Sequence, residues 1–128
     1  MAQESILIVD DDAVALEVLE DVLRLHLRDV IVDTTSSPVE ALKRVATTDY
    51  GAILTDLKMP VLDGLELLSR VLVIRPQTRV LLMTGHGEED TRRRALASGA
   101  FAFIQKPFDR DALISLLTSA LTAPRRSD

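Results

Sequence analysis

The sequence predicts an α/β fold, (βα)5: a five-stranded parallel sheet, doubly wound, with helices on both faces. Three observations predict it. Short, continuously apolar runs recur along the chain, amphipathic stretches separate them, and capping residues stand at the joints. Apolar runs without alternation mark strands buried on both faces. Strands alternating with helices imply parallel crossover units. The 128 residues fit one domain of ordinary size, and the 47% that are hydrophobic suffice for a core.

Each element is legible in turn. Ser5-Ile6-Leu7-Ile8-Val9 is the first strand and ends in acid. Asp12 suits a helix cap, and Leu16, Leu19 and Leu23 then share one helical face, with Val18, Val22 and Leu25 beside it. Val30-Ile31-Val32 begins the second strand, which runs out at Thr34 and Thr35. Ser37-Pro38-Val39-Glu40 reads as a capping box with proline at the first helical position, and Ala41, Leu42 and Val45 follow on one face. Ala52-Ile53-Leu54 is the third strand and leads to Asp56. Asp63-Gly64-Leu65-Glu66 caps the third helix, whose stripe is Leu65, Leu68 and Leu72 joined by Leu67 and Val71, with Pro76 beyond it. Val80-Leu81-Leu82-Met83 is the fourth strand and runs into Thr84 and Gly85. The fourth helix is expected from about Gly87 to Ser98. Its first turn holds Glu88, Glu89 and Asp90 and its later turns Arg92, Arg93 and Arg94, the order a helix dipole favours, and Gly99 suits the position after its end. Phe101-Ala102-Phe103-Ile104 is the fifth strand, and Leu113, Leu116, Leu117, Ala120 and Leu121 form the clearest stripe of all. Residues 1–122 thus form one domain, and 123–128 read as a loose tail.

Composition removes several function classes. The chain has no cysteine, which excludes a disulfide scaffold, a Cys-ligated zinc or iron–sulfur site and a thiol nucleophile. With 20 acidic and 15 basic side chains, it lacks the basic surface that sequence-independent nucleic-acid binding needs. No apolar run approaches the roughly 18 to 20 residues of a membrane helix. The N-terminus shows no basic region leading into an apolar stretch, so no secretory signal is expected and the cytoplasm is the expected location. The charge is unevenly spread: residues 1–64 carry 13 acidic and 5 basic side chains, residues 65–128 carry 7 and 10.

Ligands of open α/β sheets bind beyond the carboxyl ends of the strands. There the sequence places Asp10, Asp11 and Asp12 after strand one, Asp56 after strand three, Thr84 after strand four and Lys106-Pro107 after strand five. Carboxylates gathered at one edge repel, by roughly 4 kcal/mol for a pair ~4 Å apart at an effective dielectric of ~20. A divalent cation offsets that cost, and oxygen-only ligands with open positions suit Mg²⁺. Such an ion would position a phosphoryl group, Lys106 would neutralise a second oxygen and Thr84 would hydrogen-bond a third. Aspartate is a covalent phosphoryl acceptor in other proteins, and phosphoryl transfer asks mainly for positioning and charge stabilisation.

Four motifs carry a resemblance over essentially residues 5–122: Val9-Asp10-Asp11; Leu54-Thr55-Asp56-Leu57-Lys58-Met59-Pro60 with Asp63-Gly64; Met83-Thr84-Gly85; and Lys106-Pro107-Phe108. Thr84 lies 28 residues after Asp56 and Lys106 lies 50 after it. In this order and spacing the chain resembles the receiver domains of two-component response regulators. The resemblance implies the flavodoxin-like strand order 2-1-3-4-5. It implies that Asp56 accepts a phosphoryl group from phosphohistidine on a sensor histidine kinase or histidine phosphotransfer protein. Asp11 and Asp56 would ligate Mg²⁺ with the backbone carbonyl of Lys58, and Asp10 would support the ion through water. Thr84 and Lys106 would bind phosphoryl oxygens, and the Lys106–Pro107 bond would be cis.

The resemblance also implies a switch. Thr84 drawn toward a phosphorylated Asp56 vacates space near strand five, and Phe103, at the family's switch-aromatic position, rotates into it. The face of helix four, strand five and helix five then changes for a downstream output domain or target protein, with room for a phosphorylation-dependent dimer. Phe103 has no hydroxyl, unlike the tyrosine often found there. Lys58 and His86 occupy variable positions beside the phosphoryl group, and Lys58 is expected to alter its lifetime.

Single residues also have blander readings. A solvated turn suits an isolated Asp10-Asp11-Asp12, a surface lysine an isolated Lys106, a strand residue an isolated Thr84. Phe101, Phe103 and Phe108 are expected in the core, His26 and His86 in solvent. Two rivals exist for the whole. A Mg²⁺-dependent phosphohydrolase carries Asp-x-Asp after its first strand, but Ala13 and Val14 lack the usual polar continuation and no cap domain fits in the chain. A docking module that is never phosphorylated has no need of all five polar groups. No P-loop motif occurs. The chain is not expected to be a metabolic enzyme. A single-domain regulator, a receiver from a longer regulator and one from a hybrid kinase all remain open readings.

Overall fold

A computed structural model describes residues 3–85 and 89–123. Its elements alternate as expected: β1 (Ser5–Val9), α1 (Ala13–His26), β2 (Ile31–Thr35), α2 (Pro38–Thr47), β3 (Ala52–Asp56), α3 (Gly64–Ile74), β4 (Arg79–Thr84), α4 (Glu89–Ala97), β5 (Ala102–Gln105) and α5 (Arg110–Thr122). All four strand pairings are parallel, and the sheet order is β2-β1-β3-β4-β5.

The period-two alternation of the strands divides the core into two layers. Leu7, Val9, Ile53, Val80 and Leu82 face α2, α3 and α4, where Ala41, Val45, Leu67, Leu68, Val71 and Ala95 meet them. Ile6, Ile8, Ala52, Leu54, Leu81, Met83 and Ile104 face α1 and α5, where Leu19, Leu23, Leu113, Leu117 and Ala120 meet them. Both faces of β1, β3 and β4 are therefore buried, which is why their sequences read as unbroken apolar runs. Val18 and Leu25, adjoining the α1 stripe, are exposed instead.

Capping fixes where the helices begin. The side chains of Asp12, Ser37, Asp63 and Asp109 accept from the first free N–H groups of α1, α2, α3 and α5. The box expected at Ser37 is only half formed. Ser37 Oγ accepts from Glu40 N, but the Ser37 N–H bonds Thr35 Oγ1 rather than the Glu40 side chain. The end of α4 forms a Schellman motif: Gly99 N–H bonds Leu96 O, Ala100 N–H bonds Ala95 O, and Gly99 takes φ +104°.

Some boundaries differ from the sequence reading. β2 starts at Ile31, one residue after the expected Val30, and runs through polar Asp33 and Thr34 to its expected end at Thr35, which an edge strand with one neighbour tolerates. Phe101 precedes β5 rather than opening it, and all three phenylalanines are half-buried rather than fully enclosed. The described part of α4 begins at Glu89, and the expected start at Gly87 lies outside the described residues, as do His86, Glu88 and tail residues 124–128. Tyr50, whose role the sequence did not suggest, is buried, and its hydroxyl donates to Asp33 Oδ2 at 2.7 Å, tying the start of β3 to the edge strand.

Candidate phosphoacceptor site

The parallel register delivers Asp10, Asp56 and Lys106 to one edge, because β1, β3 and β5 all run the same way. Asp10 follows Val9 at the end of β1 and is fully buried, its N–H bonded to Thr35 O on β2. Its Oδ1 accepts from Asp12 N–H at 2.9 Å. The Lys106 ammonium lies 3.6 Å from Asp10 Oδ2 and 3.4 Å from Asp56 Oδ1. Asp11 is exposed, yet one carboxylate oxygen from each of Asp10, Asp11 and Asp56 lies within 4.8 Å of the others. Asp12 stands apart from this group as the α1 cap.

The electrostatics follow from the burial. Desolvation pushes the Asp10 carboxyl above its ordinary value. The Asp12 N–H and the Lys106 ammonium pull it back, while Asp56 and Asp11 push it further up. Asp10 Oδ2 is buried and has no hydrogen-bond donor among the described residues. With the Lys106 ammonium at ion-pair distance but no hydrogen bond, that buried oxygen is only partly compensated, and a cation among the three carboxylates would offset the remaining cost. The donor set is all oxygen, which fits a hard divalent ion.

Thr84 ends β4 and is 1% exposed. It shares the α3/α4 face with Leu82, and Leu82 pairs directly with Phe103 on β5. Thr84 and Phe103 are therefore diagonal neighbours on one face of adjacent strands. The Lys106 N–H bonds Thr84 O at 2.7 Å, and the Lys106–Pro107 peptide is cis. Lys58 is exposed in the loop after β3, beside the acidic group in sequence.

That loop is shaped by constraints the motif did not disclose. Leu57, Met59 and Leu62 are buried and pull it down onto the core. Gly64 opens α3 against the loop: a Cβ there would sit 2.6 Å from Asp56 O and 2.9 Å from Leu57 Cα. Glycine at this place is thus a matter of close approach rather than of capping alone. Leu62 N–H bonds Pro60 O at 2.8 Å around Val61, whose φ is +74°. This is a γ-turn of the rare strained form, with a β-branched residue at its apex. No sequence signal marks it, since valine disfavours that region.

Comparison with known proteins agrees with this geometry. Residues 6–118 match the family model of the response regulator receiver domain. The chain is 33% identical over 113 residues to the C4-dicarboxylate transport transcriptional regulatory protein DctD of Rhizobium meliloti, covering 88% of this chain and 24% of that protein. It is 32% identical over 117 residues to the transcriptional regulatory protein FixJ of Bradyrhizobium diazoefficiens, covering 91% of this chain and 56% of that one. Among solved structures, a CheY-like response regulator receiver domain protein from Methanospirillum hungatei superposes with a TM-score of 0.86 at 28% identity, covering 94% of each chain. The receiver domain of a sensor histidine kinase from Pseudomonas aeruginosa, with a magnesium ion coordinated in its active site cleft, superposes with a TM-score of 0.84 at 26% identity, covering 95% of this chain and all of that one. The chain spans about a quarter of DctD and just over half of FixJ.

Proposed function

The chain belongs to the response regulator receiver domain family, and from that membership we propose that Asp56 is the residue phosphorylated, within a unit spanning residues 1–122. The domain is a phosphorylation-activated signalling switch of the two-component type and not a metabolic enzyme. The observation that carries the assignment to Asp56 is the convergence of its carboxylate with Asp10, Asp11 and the Lys106 ammonium at the carboxyl edge of the sheet.

The residues divide the work. Asp11, Asp56 and the Lys58 carbonyl would hold Mg²⁺, and Asp10 would support it through water. Bound there, the ion neutralises charge on the phosphoryl oxygens. An Asp56 oxygen attacks the phosphorus of a phosphohistidine on a sensor kinase or phosphotransfer protein. The phosphorus–nitrogen bond breaks, and the imidazole leaves with its electron pair. Lys106 holds one phosphoryl oxygen as a point charge. Thr84 donates its hydroxyl to another, and that contact exists only in the phosphorylated state, so it can bias a two-state equilibrium. Phe103, on the same face, transmits the change to α4, β5 and α5, the surface an output domain, target protein or second copy would read.

Intact mass after incubation with Mg²⁺ and acetyl phosphate tests this. One phosphoryl adduct, absent from Asp56→Asn, is expected; an adduct that survives the substitution would overturn the assignment. Lys58 would tune how long the adduct lasts, because a second cation can hold the phosphoryl group or obstruct water; His86 is proposed for the same role. Dephosphorylation of Lys58→Ala at the parent rate would remove Lys58 from that role.

A further inference from the structure

We propose that Thr55 is a positioning residue for the phosphoryl-transfer site, its hydroxyl fixing the peptide unit that joins Asp56 to Leu57. The inference rests on Asp56 being the acceptor. Thr55 is fully buried within β3, where Ala52, Ile53 and Leu54 before it are all apolar. A hydroxyl in such a place is costly unless it is hydrogen-bonded. It donates to the carbonyl of Asp56 at 3.0 Å, with Met59 Sδ on its other side at 4.0 Å.

The bonded carbonyl belongs to the residue proposed to react. The N–H at the other end of the same peptide, that of Leu57, bonds Met83 O on β4 at 2.8 Å. Gly64 closes over the same carbonyl so nearly that a Cβ would stand 2.6 Å from it. The next carbonyl, that of Leu57, accepts from Gly64 N–H at 2.7 Å. Two successive peptide planes are therefore held between the Asp56 side chain and the Lys58 carbonyl. Rotation of the first plane would change where the Lys58 carbonyl stands relative to the Asp56 side chain, the proposed ion ligand relative to the proposed nucleophile. Small misplacements of this kind are expensive in transfer reactions. A buried threonine serving only its own hydrogen-bonding needs has no reason to affect ion affinity, whereas one that sets these planes does.

Thr55→Val keeps the side-chain shape and removes the hydroxyl; Thr55→Ser keeps the hydroxyl and removes the methyl. Mg²⁺ affinity of the unphosphorylated protein, by calorimetry, and the rate of adduct formation from acetyl phosphate are compared with the parent. Thr55→Val is expected to weaken Mg²⁺ binding and slow phosphorylation by roughly two- to tenfold, the scale of one net hydrogen bond. Thr55→Ser is expected to restore both. Parent-like values in Thr55→Val, whatever its melting temperature, would overturn the proposal, and so would equal losses in the two variants. Should valine prevent folding, Thr55→Ala replaces it with the same expected and overturning results. A parent chain that binds Mg²⁺ but takes no adduct would fail the assignment of Asp56 alone, and the Mg²⁺ measurements would still decide on Thr55.

Discussion

Burial of the Asp10 carboxyl costs stability at neutral pH. The carboxyl is raised above its ordinary value, first by burial, so the folded state holds its proton more tightly than the unfolded chain does. This group's contribution to stability is therefore most favourable below the unfolded value of 3.8 and is lost as pH climbs through the higher folded value. Asp10→Asn abolishes that titration. Thermal melts in chelator, from about pH 3.5 to 7, are expected to show the parent falling behind Asp10→Asn as pH rises; parallel profiles would contradict the burial argument. Asp11→Asn relieves repulsion from a more exposed position, where screening limits the gain to about 1 kcal/mol or less. It should raise the metal-free melting temperature while weakening Mg²⁺ binding, and a lower melting temperature in chelator would count against it. Val61 stores strain of a different kind. It is 89% exposed and gains no packing in return for its left-handed backbone. Asparagine takes positive φ more readily than a β-branched residue does, so Val61→Asn is expected to add about 0.5 to 1 kcal/mol in urea unfolding. A loss of stability would mean that the valine side chain is needed where it stands.

At the scale of elements, the helices differ in how firmly they are held. α3 buries Leu67, Leu68 and Val71, and α5 buries Leu113, Leu117 and Ala120. In the described part of α4, Ala95 is the one buried residue, and Glu89 and Asp90 are followed by Arg92, Arg93 and Arg94. Little apolar burial means a low local cost of opening. Amide exchange in α4 is expected to be the fastest of the five helices, and exchange as slow as in α3 would refute this. What holds α4 is largely its end. Gly99→Ala would force a side chain into φ +104° and to within 2.8 Å of Leu72 Cδ1. It is expected to destabilise the protein by about 1 kcal/mol or more. These differences were only partly legible beforehand. The apolar runs, the caps at Asp12, Ser37 and Asp63 and the glycine after α4 were all visible in the sequence. The exposure of Val18 and Leu25, and the half-formed box at Ser37, were not, because each depends on what a neighbouring strand or solvent offers that surface.

At the scale of the molecule, the site and the proposed output face are linked through one layer of the sheet. Leu82 and Phe103 lie on the face that packs against α3 and α4, and strand alternation puts Thr84 on the same face, so under the proposed switch a pull on Thr84 would be felt first by the ring diagonal to it. Phe103→Ala should still take the phosphoryl adduct but lose the phosphorylation-dependent change in α4 and β5 amide exchange. An unchanged response would exclude the ring from the path. By itself the sequence determined the alternation of elements, the two-sided burial of the central strands and the identity of the polar groups at the strand ends. Those properties are local: they follow from apolar periodicity, from capping chemistry and from residue type, and a linear string records them. Only the tertiary structure decided that Asp10 loses its solvent while Asp11 keeps it, that Lys106 stands between two carboxylates from other strands, and that Gly64 and Thr55 enclose the Asp56 carbonyl. Each of these is a distance between segments remote in the chain. Such distances are fixed by strand register and core packing together, and no stretch of sequence contains them.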